Sequence, residues 1–168
     1  MDSETLYEKL MNASLNYVSY RPRSQKEVEA YIAKMLKRLK VEDASVAEKI
    51  ISRLIELGYL DDFAFASWWV TQRSAHKPKG LRALQFELSA KGVSPDVCAR
   101  AFTAFQNQDD GISELDLARK AIQKKLVVLA RLPIIEQKNK IYSFLASRGF
   151  GSESIGKIID ELTKKAYN

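Results

Sequence analysis

The sequence contains few of the residues that build disulfides, histidine metal sites or flexible linkers. Its 168 residues include one cysteine, one histidine, four prolines and seven glycines. A single cysteine excludes an intramolecular disulfide and a cysteine-cluster metal site. No apolar N-terminal run resembles a signal peptide or a membrane span. These absences favour a protein of a reducing, cytoplasmic compartment that is not associated with a membrane.

No pattern typical of a catalytic or cofactor site is present either. The single histidine, His76, lies in the polar run SAHKPKG. One histidine cannot form a multi-histidine metal site, and its surroundings do not favour a Ser-His-Asp triad. The strings RPRS and KPKGL lack the glycine spacing of phosphate-binding loops. Cys98 lies on a predicted apolar helix face, which is typical of a small core residue. The sequence therefore predicts a protein that is not an enzyme and needs no cofactor or metal.

Positive charge is the feature that the sequence has in excess. The formal net charge is +6, while hydrophobic residues make up 46% and charged residues 29% of the chain. These fractions are typical of a globular protein. The basic balance favours a polyanionic partner without identifying it.

Apolar residues recur at helical spacing along the chain. In SQKEVEAYIAKMLKRL, Val28, Ile32 and Leu36 share one face of an amphipathic helix. Ser24 precedes that helix, and Glu27 three residues later completes the pattern of a capping box.

The same pattern of apolar spacing and capping residues predicts where later helices begin and end. The third helix is expected to open near Asp43 and to stop at Gly58, since glycine tolerates the left-handed cap conformation. Nine helices follow from such patterns, and no stretch shows the sustained alternation of a strand. The sequence therefore predicts an all-α fold.

The stretch LGYLDDFAFASWWVTQR, residues 57–73, combines two acids with a dense aromatic run. Asp61 lies at the N-cap position of a helix, and Asp62 in the first turn meets the helix dipole favourably. These acids are therefore interpreted as a helix start. Trp68 and Trp69 are predicted to pack between units, with base stacking or cofactor binding as the less favoured alternative.

A faint internal repeat organises the helices. LRALQFELSAKGVSPDV is similar to KNKIYSFLASRGFGSESI, so that residues 91–93 correspond to residues 148–150. This repeat predicts three tandem three-helix units, which form an elongated, curved molecule. The predicted units are residues 1–58, 59–107 and 108–168.

Basic residues gather at corresponding places in the three units. They are Arg21, Arg23, Arg73, Lys77, Lys79, Arg82, Lys91, Lys138, Lys140 and Arg148. If the units stack regularly, these residues form a broken basic stripe that follows phosphates or an acidic protein groove. The alternative is a solvated surface with dispersed charge, and the sequence leaves both open.

Three ordered stretches resemble the RecX regulatory proteins. YRPRSQKEVEAYI is similar to the family's first-unit motif. Residues 57–73 are similar to the family's most specific stretch, and KGLRALQFELSAKGV is similar to the segment that follows it. There are three departures from the family's pattern. Leu81 stands where the family usually has proline, Val28 stands where it usually has leucine, and residues 124–133 match poorly.

The resemblance implies a function as well as a fold. RecX proteins are negative regulators of the RecA recombinase that bind its filament on single-stranded DNA. They inhibit its ATPase, strand-exchange and co-protease activities, and so modulate recombination, DNA repair and the SOS response. The implied partner is the filament, and direct contact with its DNA is compatible with the resemblance. The implied state is a monomer.

Two alternatives remain open from the residues themselves. One is a sequence-tolerant DNA-binding helical module that acts without a recombinase. The other is a general helical scaffold for a different protein. Binding to bare DNA with a steep salt dependence would favour the first alternative.

Overall fold

The computed structural model describes residues 2–42, 44–108 and 112–166, the last four by their backbone alone. Within these ranges the chain forms nine α-helices and no strand, which confirms the predicted all-α fold. The helices are α1 (Ser3–Ser19), α2 (Gln25–Leu39), α3 (Ser45–Glu56), α4 (Asp62–His76), α5 (Leu81–Ala90), α6 (Pro95–Gln106), α7 (Glu114–Leu129), α8 (Ile134–Ser147) and α9 (Ser152–Ala166). In the described part of the chain, no helix is both long and apolar enough to cross a membrane.

Polar side chains begin several helices as the sequence predicts. Ser24 and Glu27 form the expected capping box of α2, each side chain accepting a hydrogen bond from the other residue's backbone N–H at 3.2 Å. Asp61 is the N-cap of α4 and accepts from the N–H groups of Phe63 and Ala64 at 2.8 and 3.1 Å. Both predicted caps are therefore confirmed.

The start of α3 differs from the others. This helix begins at Ser45, and its N-cap, Ala44, has no side chain that could bind a backbone N–H. Asp43, near which the sequence predicts the start, lies outside the described residues. The end agrees with the prediction, since Gly58 follows the helix with a positive φ of 74°.

The helices pack in threes along the chain. Helices α1–α3 pack on one another, and so do α4–α6 and α7–α9. We call these triples the first, second and third units. The exact unit boundaries and the elongated, curved outline stay predictions.

Within the described residues, the buried apolar side chains form two clusters rather than three. One lies within α1–α3 and includes Leu10, Ile32 and Ile50, all fully buried, together with Leu60 of the following loop. The other runs without interruption through α4–α9. The second and third units therefore share a core, whereas the first unit has its own.

Candidate functional site

The middle helices of the three units follow one another, the start of one meeting the end of the next. The hydroxyl of Ser24, before α2, donates to the carbonyl of Lys91 after α5 at 2.7 Å. The backbone N–H of Gly80, before α5, donates to the carbonyl of Arg148 after α8 at 3.0 Å. We call the contacts around Ser24 and Lys91 the first joint, and those around Gly80 and Arg148 the second joint. The joints order the middle helices as α8, α5, α2.

Charged and polar side chains close the first joint. The backbone N–H of Gln25 donates to Asp62 across the joint at 2.9 Å. Glu27 binds Arg21 of its own unit at 2.9 Å and Lys91 of the second unit at 3.1 Å. A single carboxylate therefore holds cations from both units.

The two acids of this joint respond to their surroundings in opposite ways. Burial tends to raise the pKa of Glu27, but hydrogen bonds from Arg21 and Lys91 outweigh burial and the pKa lies below its ordinary value. Burial raises the pKa of Asp62, and the charge of Asp61 adds to this, while the hydrogen bond from Gln25 opposes it. The charged form is favoured at Glu27 and disfavoured at Asp62.

An aromatic and ionic cluster lies beside the first joint. Glu87 accepts from the indole N–H of Trp69 and from Arg73 Nε, both at 2.8 Å, and it also pairs with Lys79. Burial alone would raise the pKa of Glu87, but these donors lower it below the ordinary value. Two cations lie near the Trp69 ring, with Arg73 at 4.6 Å and Lys91 at 4.7 Å from its centre.

The two tryptophans are partly buried and pack on the core that α4–α9 share. Trp68 faces the first unit, since the guanidinium of Arg21 lies 5.6 Å from the centre of its ring. Trp69 instead makes its hydrogen bond within the second unit. Their importance for inter-unit packing stays a prediction.

The second joint is closed by backbone contacts. A Cβ on Gly80 would lie 2.2 Å from the carbonyl oxygen of Gly149, and a Cβ on Gly149 would lie 2.3 Å from the backbone nitrogen of Ala83. Only glycine fits at these two positions. A further hydrogen bond connects the second and third units, since the Lys120 ammonium donates to the carbonyl of Ser74 at 3.0 Å.

The structure divides the ten predicted basic residues by their partners. Arg21, Lys91, Arg73 and Lys79 pair with Glu27 or Glu87, and Lys140 pairs with Glu136 one turn earlier on α8. Arg23 and Arg148 lie over aromatic rings, at 4.0 Å from the centre of Tyr17 and 4.6 Å from that of Phe144. Within the described part of the chain, the side chains of Lys77, Arg82 and Lys138 have neither a hydrogen bond nor an ion pair.

Sequence reasoning did not single out Lys26, another unpaired cation at the start of a middle helix. Lys26 is exposed and has no polar partner among the described residues. It follows Ser24 by two residues, as Arg82 follows Gly80. The equivalence of the two helix starts, visible only once the joints are known, is the signal that identifies it.

The remaining candidate residues are Cys98 and His76, and neither belongs to a joint. Cys98 is fully buried, and burial raises the pKa of its thiol to about 11, which agrees with the predicted core role. His76 is exposed at the end of α4. The described residues assemble no group of three or more His, Cys, Asp or Glu side chains suited to a metal ion.

Comparisons with known proteins point to one family. Residues 61–101 match the family model for the second three-helix domain of RecX, and residues 113–159 match that for the third. Regulatory protein RecX of Prosthecochloris aestuarii is 30% identical over 166 residues, covering 96% of this chain and 97% of that protein. Regulatory protein RecX of Bacillus subtilis is 31% identical, covering 92% of this chain and 55% of that protein.

A solved structure has the same fold. The crystal structure of RecX from Lactobacillus salivarius superposes with a TM-score of 0.79 at 26% sequence identity. The likeness covers 95% of this chain and 98% of that one.

Proposed function

Because this chain belongs to the RecX family of regulatory proteins, we propose that it binds the RecA recombinase filament on single-stranded DNA. It inhibits the filament's ATPase, strand-exchange and co-protease activities, and thereby modulates recombination, DNA repair and the SOS response. It acts in the cytoplasm, as a monomer and without catalytic activity of its own.

The observation that carries this proposal is the order of the middle helices. At a rise of about 1.5 Å per residue, α8, α5 and α2 together provide roughly 60 Å of helix. The two joints hold these helices start to end, so that one molecule presents its units in series. A filament offers a repeated surface, and units in series suit contacts with successive subunits.

Among the described cations without a polar partner, those near the starts of the middle helices supply the contacts. Lys26, Arg82 and Lys138 lie in the first two turns of α2, α5 and α8, and Lys77 lies just before α5. Since these side chains have no polar partner within the described residues, they can bind phosphates or carboxylates without first breaking an ion pair. The paired cations of the predicted stripe belong to the same proposed surface. To bind a ligand, each of them must release its protein partner or bind both at once.

The test is one titration with three ligands. Fluorescently labelled protein is titrated with bare single-stranded DNA, with recombinase alone, and with recombinase-coated single-stranded DNA. We expect much tighter binding to the coated DNA than to either component, together with inhibition of the filament's ATPase over the same concentration range. Equal affinity for bare and coated DNA, without inhibition, would instead favour the DNA-binding module.

A matched pair of variants connects the binding to the surface. Arg82→Ala should weaken filament binding, with a loss that shrinks as salt rises. Arg53→Ala is the control, because Arg53 is also an exposed arginine but lies on α3 and pairs with Glu56 at 3.1 Å. Equal behaviour of the two variants would remove Arg82 from the proposed surface.

A further inference from the structure

Phe86 lies on the outer face of α5 with 80% of its surface exposed. The leucines of this helix point inward, with Leu84 and Leu88 fully buried. In the described part of the chain, no aromatic ring stacks on Phe86 and no cation lies over it. Most of the side chain is therefore open to a ligand.

The surroundings of Phe86 are basic and small. Arg82 lies four residues earlier on the same face of the helix, exposed and without a polar partner among the described residues. Ser89 and Ala90, one turn later, are exposed and too small to cover the ring. The single acid of α5, Glu87, is already bound to Arg73 and Lys79. No free carboxylate of this helix repels an anion.

The isolation of Phe86 decides between two kinds of partner. Throughout residues 62–106, all of which the structure describes, no other large apolar side chain is exposed. A protein partner would be expected to meet a contiguous apolar patch, and α4–α6 offer none around Phe86. One open ring beside a free cation is instead typical of surfaces that stack a base and hold the adjoining phosphate.

We propose that Phe86 stacks on a base of single-stranded nucleic acid while Arg82 binds a neighbouring phosphate. This contact requires no recombinase and goes beyond the proposed function. The pair places a single-strand contact on the central of the three middle helices.

The test uses a fluorescein-labelled oligothymidine of about 12 nucleotides, within the site sizes of known single-strand binding folds. Binding is followed by anisotropy at low salt. Phe86→Leu keeps an apolar side chain but removes the aromatic face, and it should weaken binding by about 5-fold to 100-fold. Phe86→Trp keeps the face and should retain the affinity of the unmodified protein.

An abasic chain with the same number of phosphates separates the two contacts. On this ligand the loss caused by Phe86→Leu should vanish, because there is no base to stack on. The loss caused by Arg82→Ala should persist on both ligands, with a salt slope lower by about 1. Tyr59→Leu is the control, since Tyr59 is 55% exposed but is followed closely by Asp61 and Asp62.

Three results would overturn the proposal. The first is failure of the unmodified protein to bind the oligothymidine at low salt. The second is a Phe86→Leu loss of equal size on the two ligands. The third is unchanged oligothymidine binding with weaker binding to recombinase filaments, which would make Phe86 a protein contact. Since the oligothymidine assay contains no recombinase, its result is independent of whether the protein inhibits filaments.

Discussion

The first and second joints occupy equivalent places in the repeat but are held by different chemistry. In both, a donor before one middle helix binds the carbonyl after the next. The second joint uses the backbone N–H of Gly80. Its backbone segments approach so closely that no Cβ fits at Gly80 or Gly149. The first joint uses the hydroxyl of Ser24 and surrounds it with the ion pairs of Glu27 and the acceptor Asp62.

The buried apolar clusters also differ between the two joints. The apolar cluster of α4–α9 passes through the second joint, whereas α1–α3 enclose a separate cluster. A joint with a shared core is stabilised by burial, which salt and pH change little. A joint of ion pairs is weakened by salt and by acid. One repeat geometry can therefore join units either through a core that resists salt and acid or through ion pairs that do not, depending on a few side chains.

The largest expected effect is that of a methyl group at the second joint. Gly149 has a φ of +79° and its added Cβ would collide with the backbone of Ala83. Gly149→Ala should lower the free energy of unfolding by about 2–5 kcal/mol, the sum of a left-handed backbone and overpacking. Gly58→Ala is the matched control, because Gly58 has a φ of +74° and nothing lies within 4 Å of the added Cβ. Equal losses in urea unfolding would show that the close approach is unimportant.

The equivalent glycine of the first joint should be less sensitive. Gly92 has a φ of +85°, and an added Cβ would lie 2.6 Å from the Cβ of Lys26. Because the first unit shares no buried core with α5, it can shift to relieve this contact. The loss for Gly92→Ala should fall between those of Gly58→Ala and Gly149→Ala in the same urea experiment. A loss larger than that for Gly149→Ala would contradict the ranking of the joints.

Removing the charge of Glu27 should loosen the first joint alone. Glu27→Gln should cost about 1–2 kcal/mol, allowing for the partial exposure of its ion pairs, and the cost should shrink in high salt. Glu56→Gln, which affects an exposed pair within α3, should cost only about 0.3–0.5 kcal/mol. Urea unfolding of both variants at two salt concentrations is the measurement. A salt-independent loss for Glu27→Gln would show that charge is not what holds the joint.

The smallest expected effects come from pH, and the two acids of the first joint have opposite signs. The pKa of Glu27 is lowered by folding, so its contribution is present above the ordinary pKa of glutamate and is lost as the pH falls through the lowered value. The pKa of Asp62 is raised, so its charged form slightly destabilises the protein at neutral pH.

Two variants separate these contributions. Relative to the unmodified protein, Glu27→Gln should be less stable at neutral pH and should approach it in stability as the pH falls. Asp62→Asn, which keeps an acceptor for the N–H of Gln25, should be as stable or slightly more stable at neutral pH, and the difference should vanish in acid. Thermal unfolding between about pH 3 and pH 7 measures both. Parallel pH profiles for the two variants would refute the opposite signs.

Local signals in the sequence predict the helices and their ends well. Asp61 could be predicted as an N-cap, and Gly58 as the residue that ends α3, because caps depend on residues within one turn. The repeat also shows that Lys91-Gly92 and Arg148-Gly149 correspond. These features depend on backbone preferences that a short window contains.

The contacts across the joints could not be predicted in the same way. The hydrogen bond from Gln25 to Asp62 spans 37 positions and that from Ser24 to the Lys91 carbonyl spans 67, so helix packing alone decides them. For the same reason the sequence shows a basic stripe but does not show that Glu27 and Glu87 neutralise part of it. The unpaired cations and the open ring of Phe86 became recognisable only when these partners were known.

Polar contacts hold the first unit to the second, whereas a shared core joins the second and third units. Two backbone amides report on the joints directly, since the N–H of Gln25 donates across the first joint and that of Gly80 across the second. The measurement is their hydrogen-exchange rates in the intact protein at low and high salt. We expect high salt to accelerate exchange at Gln25 and to leave Gly80 protected. Equal acceleration at both amides, or at neither, would contradict this expectation.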